Sequence, residues 1–343
     1  MKYNLLGNTG LLVSEICFGT MTFGGSNGGI WSNIGKVQQD EVNSLMKTVV
    51  ESGINFIDTA NIYSFGESEQ LLGQSIIDLG LNRNDLVIAT KVRGRMSAGV
   101  NDVGLTRSNI FQSVDASLKR MQLEFIDILY VHGVDLKTPI EETMRALNDI
   151  VLTGKVRYIA VCNWPAWMVM KAQGIADKYG WNKFVGMQYY YSLATRDIER
   201  EIVPLAIDQN LAIMPWSPLA GGFLSGKYTR DSDKIGSRRD NFDFPPINKD
   251  KTYDIIDVIT EVGKQHNTTP AQIALAWVRQ QNAVTSTIIG AKNIEQLKDN
   301  IRSVSVELTT DELQKINEVS ALTKEYPQWM VERQSADREQ KPV

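Results

Sequence analysis

Short, β-branched apolar runs alternate along this chain with longer stretches in which apolar positions recur every three or four residues. Eight runs read as strands: 16–20, 55–60, 86–92, 126–132, 156–163, 184–191, 211–217 and 286–291. Runs this apolar suit strands buried on both faces, as in a parallel sheet covered by helices. Between the first two, Val42, Leu45, Met46, Val49 and Val50 mark one buried helical face. Helix starts are signalled by Thr138 with Pro139 and Glu141, by Thr269 with Pro270 and Gln272, and by Thr309 with Glu312. Eight strand–helix repeats predict a closed (β/α)8 TIM barrel, with an open doubly wound sheet as the less economical alternative. No linker divides the chain, so residues 1–343 are expected to form a single domain. Residues 1–14, turning at Asn8, Thr9 and Gly10, predict a hairpin cap. Segments 21–37, 93–105 and 218–252 are long for a compact domain and are expected on the active face of the barrel. Residues 325–343 read as a mobile tail.

Charge narrows the function classes. The chain has 343 residues, with 36 Lys and Arg against 40 Asp and Glu, so it lacks the basic excess of a nucleic-acid binder. No apolar run reaches the ~18 to 20 residues of a membrane span. The opening MKYNLLGNTG shows no export signal, and cytoplasmic residence is expected. Cys17 and Cys162 are too few for a disulfide framework, and with His132 and His266 they offer no zinc-ligand spacing, so no metal is assigned. His266, in the polar GKQHNTTP, reads as a solvated surface residue. Oligomeric state leaves no readable pattern.

The chemistry concentrates at strand ends. Asp58, Lys91 and His132 terminate three consecutive predicted strands, and Tyr63 follows Asp58 by five residues. Adjacent parallel strands lie about 4.8 Å apart, so these groups converge at the end of the barrel where sites form. Without a metal, Tyr, Lys, Asp and His suggest proton transfer at a carbonyl or alcohol. A Lys ammonium beside the phenol is expected to lower its pKa from about 10, with Asp58 keeping Lys91 charged and His132 meeting the substrate oxygen. Lys91 as a Schiff-base lysine of a barrel aldolase is the alternative. The run Gly221 to Lys227 nearly spells a phosphate-binding P-loop, but Tyr228 stands where Ser or Thr must hold Mg²⁺, which rejects a nucleotide triphosphatase. Its backbone and Lys227 still suit the phosphates of another cofactor. No Gly-x-Gly-x-x-Gly follows the first strand.

The segment GINFIDTANIYSFGESEQLLG, Gly53 to Gly73, resembles the signature of the aldo-keto reductase superfamily, including its potassium-channel β-subunit branch. The resemblance extends through LGNTGLLVSEICFGTMTFG, VIATKV, YVHGVD, VCNW, PWSPLAGGFLSGKY and IIGAKNIEQLKDN, almost the whole chain. It implies a barrel that binds NADPH without a Rossmann domain and reduces a small carbonyl substrate, with the tetrad on Asp58, Tyr63, Lys91 and His132. It further implies that Asn163 and Gln188 hold the nicotinamide carboxamide, beside Cys162, and that Trp216 stacks on the ring. Ser217, Pro218, Leu219, Gly221, Leu224, Gly226 and Lys227 would wrap the pyrophosphate, and Ile289, Gly290, Lys292, Gln296 and Asn300 the adenosine end. Gly19, Thr20 and Met21, with Asp58, would complete the cofactor contacts. Lys292 at the 2′-phosphate favours NADP. Trp31, Phe65, Trp164 and Trp329, with Tyr63 and His132, are candidate walls of the substrate pocket. Two departures stand out: Cys162 replaces a frequent Ser, and Gly133 is smaller than the residue often found there. A regulatory subunit that binds the cofactor with little turnover is the second functional class.

Overall fold

A computed structural model describes residues 1–26, 28–230, 239 and 242–336. Two strands, β1 (Tyr3–Leu5) and β2 (Leu12–Ser14), form an antiparallel hairpin with Tyr3 opposite Ser14. Eight parallel strands follow: β3 (Ile16–Gly19), β4 (Phe56–Asp58), β5 (Val87–Val92), β6 (Ile126–Val131), β7 (Val156–Cys162), β8 (Phe184–Tyr190), β9 (Ala212–Trp216) and β10 (Thr287–Ile289). Their order, β10-β3-β4-β5-β6-β7-β8-β9, is sequential around a barrel. Thr285 N–H donates to the Ile213 carbonyl at 2.9 Å, bringing the approach to β10 against β9 and all but closing the ring. The (β/α)8 barrel is therefore the architecture, and the open sheet is excluded.

Alternation along the strands makes two cores. Cys17, Phe56, Val87, Ala89, Ile128, Tyr130, Ala160, Cys162 and Met214 point inside the barrel, sealed below by Leu6 and Val13 of the hairpin. The larger layer lies between barrel and helices, where Val42, Leu45, Met46 and Val49 of helix Gln39–Glu51 join Ile57 and Ile88. The hairpin fits closely because residue 7 has no side chain: with φ at +55°, a Cβ on Gly7 would lie 2.3 Å from the Val185 carbonyl oxygen.

Local signals mostly held. Thr269 accepts from Gln272 N–H to start helix Pro270–Arg279, and Thr309 and Glu312 form the capping box of helix Thr310–Ser320. Thr138 does not cap helix Ile140–Leu152, which has Pro139 at its N-cap; its hydroxyl instead donates to Asp135 Oδ2 at 2.7 Å. Asp135 wins because it also gathers the Leu105 and Lys137 N–H groups. His266 is not a solvated bystander: its Nε2 lies 2.8 Å from Glu312 Oε1, tying helix Lys249–His266 to Thr310–Ser320. Segment 21–37 holds a short helix, Trp31–Ile34, and 218–252 includes a 3₁₀ turn over Ala220–Ser225 and the start of helix Lys249–His266. The expected tail contains helix Gln328–Ala336; residues 337–343, and residues 231–238, 240 and 241 of the long segment, lie outside the described residues. Among the described residues no helix is long and apolar enough to cross a membrane.

Candidate active site

The C-terminal ends of β4, β5 and β6 bring the predicted quartet together. Asp58 closes β4, Lys91 is the penultimate residue of β5, and His132 follows β6 directly, its N–H on the Val92 carbonyl at 2.9 Å. Tyr63 reaches the cluster from the tight turn Tyr63–Gly66, where Ser64 and Phe65 take positive φ. Lys91 Nζ donates to Asp58 Oδ2 at 2.5 Å, to the Thr59 carbonyl at 2.8 Å and to Tyr63 Oη at 3.1 Å. An ammonium has three donors, and all three are committed. Tyr63 Oη accepts from Lys91, so its own proton is left to donate elsewhere. The His132 ring lies edge-on to Tyr63, ring centroids 5.9 Å apart and nearly perpendicular.

The electrostatics assign protonation states. Burial alone would lower Lys91, but the Asp58 carboxylate and the neighbouring Tyr63 outweigh it and hold the ammonium well above its usual range. This removes the Schiff-base reading, which needs a neutral amine. Burial, then the charges of Lys91 and Arg93, push His132 well below the usual imidazole range, so it is neutral near pH 7. Tyr63 corrects the sequence expectation. Lys91 does lower it, yet burial raises it more, and the phenol stays above its ordinary value. At neutral pH the group is a protonated donor.

The residues proposed for a cofactor fall on one arc of the same rim. Gln188, on β8, donates from Nε2 to Asp58 Oδ1 at 2.9 Å, leaving its carbonyl oxygen as the open acceptor. Asn163 follows β7 with φ at +57°, and its Oδ1 accepts from Trp216 Nε1 at 3.0 Å, which leaves its amide donors. The Trp216 ring lies against Tyr190 at 4.9 Å and Phe244 at 5.9 Å. From Ser217 the backbone winds through positive φ at Ser217, Ala220, Gly221, Gly222 and Gly226, a tight path in which the Ala220 N–H donates to the Ser217 carbonyl and the Gly222 and Leu224 N–H groups donate to the Leu219 carbonyl. Ser217 Oγ accepts from Gly221 N–H at 2.9 Å, Pro218 and Leu224 are buried, Leu219 is half-buried, and Lys227 is exposed. Beyond β10, Gly290 and Lys292 are exposed before helix Ile294–Arg302, Gln296 Oε1 accepts from Lys292 N–H, and Asn300 Nδ2 holds the Gly290 carbonyl. Ile289 is buried, as are Gly19 and Thr20 beside Asp58; the Thr20 hydroxyl meets Ser68 Oγ at 2.8 Å, and Met21 is half-buried. Cys162 is wholly inside the barrel. The exposed cations Lys227 and Lys292, one after the Gly-rich loop and one before helix Ile294–Arg302, suit phosphate groups, and with the Asn163 and Gln188 amides this set fits a dinucleotide. Among the described residues no group of three His, Cys, Asp or Glu is placed to hold a metal ion.

The candidate pocket walls divide. Trp31 lies 5.9 Å from Tyr63 and 6.5 Å from Phe65, ring to ring, so both belong at the mouth. Trp164 does not: it is 2% exposed and packs edge-on against Phe184 in the layer between barrel and helices. Trp329 sits on helix Gln328–Ala336 with its ring against Tyr326. Sequence reasoning passed over three residues. Tyr130, two positions before His132, lies inside with its ring 6.0 Å from Lys91 Nζ, a placement that strand alternation signals. Glu69, wholly buried, accepts from Thr90 and Arg120 and fixes helix Glu67–Asp78 behind β5. Asn61, between Asp58 and Tyr63, is buried with neither amide atom hydrogen-bonded among the described residues, a liability of about 1 to 3 kcal/mol.

Comparison with known proteins reaches the same superfamily. The model of the Aldo/keto reductase family matches residues 15–321. A "Versiconal hemiacetal acetate reductase" of Aspergillus parasiticus is 34% identical, covering 93% of this chain and 96% of its own. An "Uncharacterized oxidoreductase YrpG" of Bacillus subtilis is 35% identical over the same shares. A "Probable voltage-gated potassium channel subunit beta" of Arabidopsis thaliana is 34% identical, again over 93% and 96%.

Proposed function

Because the chain belongs to the Aldo/keto reductase family, we propose that this oxidoreductase reduces aldehydes or ketones to alcohols with NADPH, using Tyr63 as the proton donor. The observation that carries the reading is Lys91 Nζ, saturated by Asp58, the Thr59 carbonyl and Tyr63 Oη. Asn163 and Gln188 would hold the carboxamide, Trp216 the ring, Ser217 to Lys227 the pyrophosphate, and Gly290, Lys292, Gln296 and Asn300 the adenosine end. Bound there, the reduced nicotinamide supplies a hydride. Tyr63 and neutral His132 both direct a proton at the carbonyl oxygen, polarising the bond, and Tyr63 releases its own as the alkoxide forms. Lys91 stabilises the resulting phenolate, and Asp58 keeps Lys91 charged and aimed. The raised phenol pKa keeps Tyr63 in the proton-donor form near pH 7.

The likeness to a channel β subunit favours a second reading, a cofactor-binding regulatory subunit with little turnover. One experiment separates them: titrate NADPH and NADH by tryptophan quenching, then follow nicotinamide absorbance over a panel of aldehydes. Turnover abolished by Tyr63→Phe, with NADPH binding retained, is expected. Tight binding without turnover on any carbonyl supports the regulatory reading, and turnover unchanged in Tyr63→Phe refutes the proton-donor role.

A further inference from the structure

Two residues beyond Lys91, the chain does something costly. Arg93 follows the end of β5 with φ at +142°, a region that side-chain-bearing residues rarely occupy. The conformation is held in place: its carbonyl accepts from Gly104 N–H at 2.9 Å, and its Nε donates to the Val134 carbonyl at 3.1 Å. That second bond orients the guanidinium along the strand end that carries His132. The side chain passes beside Gly133, next to His132: a Cβ built at residue 133 would stand 4.0 Å from both Cδ and Nε of Arg93, in ordinary contact. Arg95, by contrast, spends Nη1 on the Ser97 and Gly99 carbonyls of its own loop. Arg93 is exposed, and neither of its terminal Nη groups donates to any described residue.

An oriented guanidinium near the candidate catalytic histidine, its Nη groups making no hydrogen bond among the described residues, presents a planar fork that matches a carboxylate. We propose that Arg93 receives a carboxylate on the substrate, so that the preferred substrates are carbonyl compounds bearing a carboxylate away from the reacting carbon. This rests on the reductase reading above and names its substrate class. The chain of contacts from Phe65 through Trp31, Tyr63 and His132 to Gly133 and Arg93 then joins apolar rings, proton donors and a cation. The Arg93 charge is already felt at His132, where it helps keep the imidazole neutral.

The test compares 4-formylbenzoate with its methyl ester, as substrates with NADPH and, separately, as ligands in calorimetric titrations without turnover. The wild-type protein is expected to prefer the acid at least tenfold in kcat/KM, mainly through KM, and to bind it more tightly. Arg93→Gln should lose most of that preference, Arg93→Lys should keep part of it, and Gly133→Leu should lose it by displacing the guanidinium without changing the charge. Equal preference in wild type and Arg93→Gln overturns the proposal. So does a preference that disappears at 0.5 M salt in the wild type, which would mean long-range attraction rather than contact. If neither compound is turned over, acid-selective binding lost in Arg93→Gln would still support the carboxylate site and unselective binding would refute it, while the reductase reading itself falls only when the whole aldehyde panel fails.

Discussion

Replacing Lys91 by Met tests the site at its centre, since the thioether chain fills similar space without a charge. At the observed 3.1 Å and an effective dielectric near 20, the attraction of the ammonium for a phenolate at Tyr63 is about 5 kcal/mol. Positioned acid catalysis contributes about 10² to 10⁴ in rate, or about 3 to 5 kcal/mol, so the two scales agree. Lys91→Met is therefore expected to lower kcat by about 100- to 10,000-fold in a nicotinamide absorbance assay. The same change strands Asp58, whose Oδ2 loses its partner while Oδ1 keeps Gln188. Breaking one side of a buried ion pair costs about 3 to 5 kcal/mol, readable in urea unfolding at pH 8. In the wild type, the raised Lys91 contributes stability that persists up to the unfolded value near 10.4 and is lost only as pH rises beyond it. Turnover within threefold of wild type, or unfolding curves that superimpose at pH 8, would refute the reasoning.

Two predictions concern the periphery. Lys292→Ala should weaken NADPH at least tenfold while leaving NADH nearly unchanged, measured by fluorescence titration; an equal loss for both removes the argument for a 2′-phosphate contact. Burial raises Glu312, but the Thr309 N–H and hydroxyl and His266 together hold its carboxyl below the usual range. Its contribution to stability is present above the unfolded value near 4.3 and is lost as pH falls through the folded one, so Glu312→Gln should flatten the acid limb of the stability curve below about pH 4.5, and an unchanged limb counts against the His266–Glu312 tie.

What the sequence disclosed follows from which interactions are periodic. Strand runs and helix faces repeat because burial repeats, so eight strands and the helix through Leu45 and Val49 were legible, and matching strand ends placed Asp58, Lys91 and His132 together before any coordinates. The misreadings fall where one tertiary contact outcompetes a local rule. Thr138 satisfies a capping pattern, yet Asp135 takes its hydroxyl; Trp164 resembles a pocket wall, yet it turns behind the barrel against Phe184; and Tyr63 was expected to be acidified by Lys91, yet burial acts more strongly on the same oxygen. Arg93 was illegible for a related reason. Its proposed role lies in a backbone angle and in a hydrogen bond to the Val134 carbonyl, and neither leaves a periodic trace. Gly133 was visible only as a departure from a family pattern. Which side chain lies beside it is set by the strained turn after β5, held by Gly104 and Val134. The candidate catalytic centre is thus written in strand ends, where geometry is shared by every barrel, whereas the proposed carboxylate selectivity rests on loop contacts that only the folded chain brings together.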